Sequence, residues 1–273
     1  MRVSADDGAS VEISLNGAHV TSWRPAPGDD ERLFLSARSS VAEGASIRGG
    51  IPVIFPQFAA EGPLPRHGFA RTAVWTLDQA GVETSGEAIA ALSLRDSAAT
   101  RTLWPASFHA TIIVCVHGPR LITTFAVQNT GDEPFHFAAA LHTYFRVRDV
   151  TEAEIIGLKG CRYRESRAPG VFSVDDQETV RVEGEIDRVY VDAPTRLSLR
   201  EPGRQLAIET TNFPDVVIWN PGAGKAAGMA DMEPGGERRM ICVEGAALNT
   251  PVRLEAGRRW TASQLLTAEP HVQ

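Results

Sequence analysis

IIVCVHGPRLITTFAV, residues 112–127, alternates apolar side chains at Ile112, Val114 and Val116, breaks at HGPR (117–120), and resumes at Leu121, Thr123, Phe125 and Val127. Successive side chains of a strand point to opposite faces, so this pattern reads as a β-hairpin with one buried face. The same reading extends outward. Val11, Ile13 and Leu15 alternate with polar residues. RLSLREPGRQLAIET (196–210) reads as a second hairpin turning at Glu201-Pro202-Gly203-Arg204, and PVRLEAGRRWTASQLL (251–266) as a third turning at Glu255-Ala256-Gly257-Arg258. No segment sustains a helical apolar stripe over three turns, so helices are expected only near Ala99 to Leu103 and Lys225 to Asp231. Stretches 25–32 and 164–179 read as surface loops. The expected fold class is therefore all-β, a large antiparallel β-sandwich with a few short helices. Neither a Pro/Ser-rich linker nor a repeat divides the chain, so 1–273 is expected to form one domain.

Composition narrows the function classes. Apolar residues make up 43% and charged residues 22%, which is ordinary for a globular protein and excludes wholesale disorder. A net charge of -7 spread along the chain argues against a general nucleic-acid or anionic-membrane binder, while leaving room for a local basic pocket. Cys115, Cys161 and Cys242 are odd in number and lack CxxC or Cys/His spacing, so buried reduced thiols are expected rather than disulfides or a zinc site. MRVSADDGASVEI lacks the apolar run of a secretory signal, and no stretch approaches the ~20 apolar residues of a spanning helix. The expectation is a cytoplasmic, monomeric enzyme whose partner is a small molecule.

Five stretches carry candidate chemistry. In FHFAAALHTYFRV (135–147), read as one strand, Phe135, Phe137, Ala139, Leu141, Thr143 and Phe145 share a core face. The opposite face carries His142, Tyr144 and Arg146 beside the small Ala138 and Ala140, which suits the floor of a polar site. SIRGGIPVIFPQFAAEGPLPRHGFAR (46–71) holds four Gly, four Pro, three Arg and one His, and reads as a shaped loop system. Its Arg48, Arg66 and Arg71 are able to converge on an anion, since guanidinium forks pair with phosphate oxygens. MICVEGA (240–246) puts Glu244 on one face with Met240 and Cys242, where apolar neighbours raise a carboxyl toward a useful general-base pKa. EIDRVY (185–190) adds Asp187, and VVIWNP (216–221) adds Trp219, either a plate for the CH face of a sugar or a core tryptophan. With no GxSxG elbow, GxGxxG fingerprint or GxxxxGK loop, nucleophilic hydrolysis, dinucleotide and triphosphate chemistry are unsupported. His67, His142, Asp187 and Glu244 then form either a metal site of the two-His-one-carboxylate kind or a metal-free acid/base set.

Six ordered blocks carry a resemblance: IRGGIPVIFPQF, LPRHGFAR, LHTYFRV, EIDRVY, VVIWNPGAGKAAGMADMEP and MICVEGA. Together, from about Val11 to Leu266, they resemble the hexose-6-phosphate mutarotases (glucose-6-phosphate 1-epimerases), a branch of the aldose 1-epimerase family. The resemblance implies a galactose-mutarotase-like supersandwich that interconverts the α and β anomers of D-glucose 6-phosphate and related aldohexose 6-phosphates without metal or cofactor. It implies His142 as general acid, Glu244 as general base, Asp187 as a ligand of a sugar hydroxyl and His67 as a second imidazole at the ring. Arg48 and Arg71 match the positions that take the phosphate. Arg66 departs from the family pattern, and is read either as a further phosphate contact or as solvent-facing. Ring opening needs a proton removed from the C1 hydroxyl and one delivered to the ring oxygen, which leads to an expected acid and base on opposite sides of the hemiacetal. Three alternatives are a sugar-binding β-sandwich without catalysis, a mutarotase for unphosphorylated aldoses, and a metal-dependent sugar isomerase or lyase.

Overall fold

Alternation of apolar side chains decides which sheet face each strand buries, and the computed structural model shows the result for residues 1–25, 30–166, 168 and 170–269. Among the described residues the strands form three antiparallel sheets, of three, eight and nine strands. The hairpin at 112–127 becomes Phe108–His117 paired with Arg120–Asn129, at the heart of the nine-stranded sheet. The second hairpin is Arg196–Glu201 with Arg204–Thr211 in the same sheet. The helices are Ala98–Leu103, capped reciprocally by Ser97 and Thr100, and Gly222–Ala226. The second of these starts three residues earlier than expected, directly after Pro221, and ends before Asp231.

Three expectations need correction. The third hairpin is not a hairpin: Met240–Leu254 pairs with Asp215–Asn220 and Phe135–Leu141 in the eight-stranded sheet, whereas Arg259–Glu269 pairs with Arg204–Thr211 and Arg120–Asn129 in the nine-stranded one. The turn at 255–258 is thus a corner between sheets; its sequence gives a reversal of direction but not the partner of each strand edge. Stretch 164–179 is not all loop, since Arg162–Glu165, Ser173–Val174 and Thr179–Val180 are strands. In stretch 25–32, residues 26–29 lie outside the described residues. Finally, 135–147 is two strands, Phe135–Leu141 and Tyr144–Arg146. The break falls at His142 and Thr143, where the His142 N–H leaves the ladder and donates to the Pro52 carbonyl at 3.0 Å.

The two large sheets pack their inner faces into one apolar cluster. Phe55 lies at its centre, its ring 5.3 to 6.2 Å from those of Phe69, Trp104, Phe108, Phe125 and Phe137. The period of two then dictates the outer face of the eight-stranded sheet. Ile241, Val243 and Ala247 point inward, so Met240, Cys242, Glu244, Ala246 and Leu248 point outward; Val216 and Ile218 inward leaves Val217 and Trp219 outward. Ile186 and Tyr190 inward leaves Val189 outward, with Asp187 on the same side. A second, smaller apolar cluster covers part of this outer face and leaves a cleft beside it.

Candidate active site

The cleft has a volume of about 770 Å³, and Arg48, Arg66, His67, Arg71, His142, Asp187, Trp219 and Glu244 all line it. Glu244 lies on the strand Met240–Leu254 opposite Val217, and His142 sits just past the end of the neighbouring strand Phe135–Leu141. Their side chains meet, with His142 Nε2 3.3 Å from Glu244 Oε1. The two groups therefore stand side by side in the cleft. Such adjacency suits the reaction, because the hydroxyl and ring oxygens to be served share one carbon. Glu244 is fully buried, and burial, followed by the charge of Asp187, pushes its carboxyl well above the ordinary value. His142 is buried too: burial first, then Arg48, push its imidazole down to about 3.

Aromatic neighbours hold the imidazole. Tyr144 stacks on it at 4.8 Å and 14°, while Trp219 and His67 meet it edge to face at 5.8 and 5.6 Å. Trp219 is both a member of the second apolar cluster and a wall of the cleft. His67 has a left-handed backbone, φ 66°, followed by Gly68, where a Cβ would lie 2.1 Å from the Phe55 carbonyl oxygen. Its Nδ1 accepts from the Ala59 N–H at 3.3 Å, so the neutral ring carries its proton on Nε2. Burial, then the charges of His142, Arg71, Arg66 and Arg48, push the His67 imidazole below the ordinary value. Asp187 accepts a 2.5 Å hydrogen bond from the Ser166 hydroxyl.

The three arginines differ. Arg48 donates from Nε and Nη2 to Asp231 at 3.2 and 3.0 Å, and from Nη1 to the Tyr144 hydroxyl at 2.8 Å. Arg71 donates only to the Arg66 carbonyl, at 3.0 Å, its buried Nε being unpartnered, and neither Arg66 nor Arg71 has a carboxylate partner among the described residues. Burial, and then the neighbouring Arg48 and Arg66, push the Arg71 guanidinium below its ordinary value.

Sequence reasoning missed Asp231, Lys225 and Ser166, which also line the cleft. Asp231 and Lys225 stand inside VVIWNPGAGKAAGMADMEP, and a lysine and an aspartate six residues apart in a Gly-rich stretch after Trp219 were the available signal; Lys225 Nζ lies 5.8 Å from the Trp219 ring centroid. As for metal, His142, Cys242 and Glu244 bring one ligand atom each within 4.8 Å of one another, a set that omits His67 and Asp187. Burial pushes the Cys242 thiol well above its ordinary value, and Arg48, Arg66 and Arg71 line the same cleft, so the surroundings oppose a cation. All three cysteines are free, but only Cys242 is buried; Cys115 and Cys161 are half-buried, unlike the expectation.

The family model for aldose 1-epimerase matches residues 1–267. A protein of Cenchrus ciliaris named "Putative glucose-6-phosphate 1-epimerase" is 34% identical over 270 residues, covering 95% of this chain and 82% of that protein. One of Escherichia coli K12 with the same name is 34% identical over 247 residues, covering 86% and 79%. A crystal structure of a "putative mutarotase" from Salmonella typhimurium superposes with a TM-score of 0.90 at 26% identity, covering 99% of this chain and 90% of that one.

Proposed function

The chain belongs to the aldose 1-epimerase family and is an isomerase of sugar anomers, and we propose that its substrate is D-glucose 6-phosphate, with related aldohexose 6-phosphates accepted. The observation that carries the phosphate is the pair Arg66 and Arg71, cations without a carboxylate partner among the described residues, in the cleft that holds His142 and Glu244. A sugar phosphate carries about −1.5 to −2 charge near neutrality, and two unpaired guanidinium groups supply charge-assisted donors for it. The names of the relatives from Cenchrus ciliaris and Escherichia coli point the same way.

In the reaction so read, Glu244 removes the proton of the C1 hydroxyl as His142 Nε2 delivers one to the ring oxygen. The bond between C1 and the ring oxygen breaks and C1 becomes a carbonyl. Rotation about C1–C2 presents the other carbonyl face, and reclosure with the two roles exchanged gives the other anomer and restores both groups. Asp187, His67 and Trp219 orient the sugar, while Arg71 and Arg66, with Arg48, hold the phosphate. No step calls for a metal or cofactor.

The test is magnetisation exchange between the two anomeric protons of glucose 6-phosphate by NMR, with and without protein, beside Glu244→Gln and a glucose control. Exchange far above the spontaneous rate, much weaker for glucose, and lowered by ~10²–10⁴ in Glu244→Gln is expected. Equal acceleration of glucose and glucose 6-phosphate would make the protein a mutarotase of unphosphorylated aldoses, and saturable binding without acceleration would make it a sugar-binding sandwich.

A further inference from the structure

We infer that the basic wall of the cleft is an activator site: a free phosphate-type oxyanion bound by Arg66 and Arg71 turns on anomerisation of an unphosphorylated aldose held in the same cleft. The inference rests on the proposed glucose 6-phosphate reading and divides that substrate into two pieces.

The geometry begins with charge balance. Other cations around the cleft are matched: Arg48 by Asp231 at 3.0 Å, Arg164 by Glu61 at 3.0 Å and Lys225 by Glu185 at 2.9 Å. Among the described residues Arg66 and Arg71 are not, although the chain has seven more acidic than basic side chains. They stand on either side of His67 in the chain, and the His67 ring meets the His142 ring at 5.6 Å. A third guanidinium, Arg48, reaches His142 through Tyr144, which accepts from Arg48 and stacks on the imidazole. A cleft of about 770 Å³ lies in the range that holds drug-sized ligands, so a hexose and a separate oxyanion fit together.

His142 Nε2 and Glu244 Oε1 lie 3.3 Å apart, close enough for a proton to pass between them, and neither carboxyl oxygen of Glu244 has another partner among the described residues. His142 is faced by Glu244 and Cys242 from the strand Met240–Leu254, by His67 from the 59–71 loop, by Trp219, and by Tyr144 from its own segment. Burial disfavours a charge on either member of the pair and so favours the form with the proton on the Glu244 carboxyl. Arg48, Arg71 and Arg66 act against a charged His142, whereas the charge acting on Glu244 is that of Asp187. An oxyanion at Arg66 and Arg71 cancels field that falls on the imidazole. The proton then crosses from the carboxyl to His142 Nε2, leaving Glu244 as carboxylate base and His142 as imidazolium acid. No proton enters or leaves the site, so the anion itself sets the groups in the forms that ring opening requires. In glucose 6-phosphate this anion arrives tethered to the sugar; a detached one does the same work in a second binding event.

The experiment follows anomer exchange of glucose with the protein at rising inorganic phosphate, subtracting the enzyme-free rate at each concentration because phosphate itself catalyses anomerisation. Sulfate, an oxyanion with little acid–base activity of its own, serves as a second probe. A saturable rise of about tenfold or more is expected with both, one decade being modest beside the ~10²–10⁴ that a positioned acid supplies. The rise should vanish in Arg66→Ala, an exposed position, and in Arg71→Ala. Independently, ¹³C-labelled histidine should show the His142 ring taking up a proton when phosphate binds. If phosphate competes with glucose 6-phosphate yet leaves the glucose rate and the His142 resonance unmoved, the inference falls and the proposed substrate stands. If glucose 6-phosphate turns over no faster than glucose, the proposed substrate falls and the inference with it.

Discussion

The guanidinium of Arg48 spends its hydrogen bonds inside the protein, on Asp231 and on the hydroxyl of Tyr144, whose ring lies against His142. The family resemblance gives Arg48 and Arg71 one shared task, whereas their surroundings divide it. On the proposed reading Arg71 and Arg66, without a carboxylate partner among the described residues, meet the substrate's phosphate, while Arg48 also braces the imidazole. Substituting Arg71 or Arg66 by Ala is therefore expected to raise KM for glucose 6-phosphate by roughly ten- to a hundredfold, the loss of a hydrogen bond to a charged group worth ~1.5–3 kcal/mol. KM for glucose should barely move. Arg48→Ala is expected to fall more heavily on kcat, because Tyr144 loses the donor that fixes it. Steady-state kinetics with both sugars separates the cases, and equal small effects of all three substitutions on both sugars would make the arginines structural.

Among the elements, the segment 47–52 links the edge of the eight-stranded sheet to its site. The Tyr144 N–H donates to the Gly50 carbonyl at 2.9 Å, and the Gly50 N–H donates to the Phe34 carbonyl at 2.7 Å. At Gly50 the backbone is left-handed, φ 60°, and an added Cβ would lie 2.2 Å from the Val20 carbonyl oxygen. His19 Nε2–H donates to the Gly49 carbonyl at 2.7 Å and locks the turn from beneath. Gly50→Ala should thus cost about 2 kcal/mol or more, since the left-handed conformation alone costs ~1–2 kcal/mol for a residue with a Cβ and the carbonyl must also move. Urea denaturation measures the loss. Arg48 leaves this turn, so activity per folded molecule should fall as well; unchanged midpoint and activity would show that the turn relaxes freely.

At the scale of the whole molecule, three histidines are buried in neutral form, and stability must depend on pH accordingly. Burial pushes His19 down to about 4 and His142 to about 3 from an ordinary 6.5, and His67 moves the same way. Their folded pKa values lie below the unfolded ones, so the unfolded chain binds more protons between about 4 and 6.5, and stability is lost as pH falls through that window. Glu244 has the opposite sign: its raised folded value makes the folded state hold a proton that the unfolded chain releases above 4.5. Three groups outweigh one, leaving a net slope of about 2–3 kcal/mol per pH unit near pH 5, at ~1.4 kcal/mol per proton. Denaturation midpoints at pH 5 and 7 test this, with His19→Gln expected to flatten the dependence. A midpoint independent of pH across the window would contradict neutral burial.

Read alone, the sequence determined the all-β class, the paired strands of the hairpins at 112–127 and 196–210, and the core face of the stretch from Phe135 to Phe145. These follow from the pleat, which places neighbouring side chains on opposite faces whatever the strand pairs with. Part of the candidate site was legible in local sequence, with Glu244 beside the apolar Met240 and Cys242 and with Arg48, Arg66, His67 and Arg71 in one Gly/Pro-rich segment, while the roles of these residues came from the family resemblance. The tertiary structure decided the rest. It made the turn at 255–258 a corner between sheets, because a turn fixes chain reversal but not the partner of a free strand edge. It joined Arg48 to Asp231 across 183 residues, and brought His142 within 3.3 Å of Glu244 by breaking the strand at His142. Those contacts arise from packing between distant segments, for which no local periodicity carries a signal.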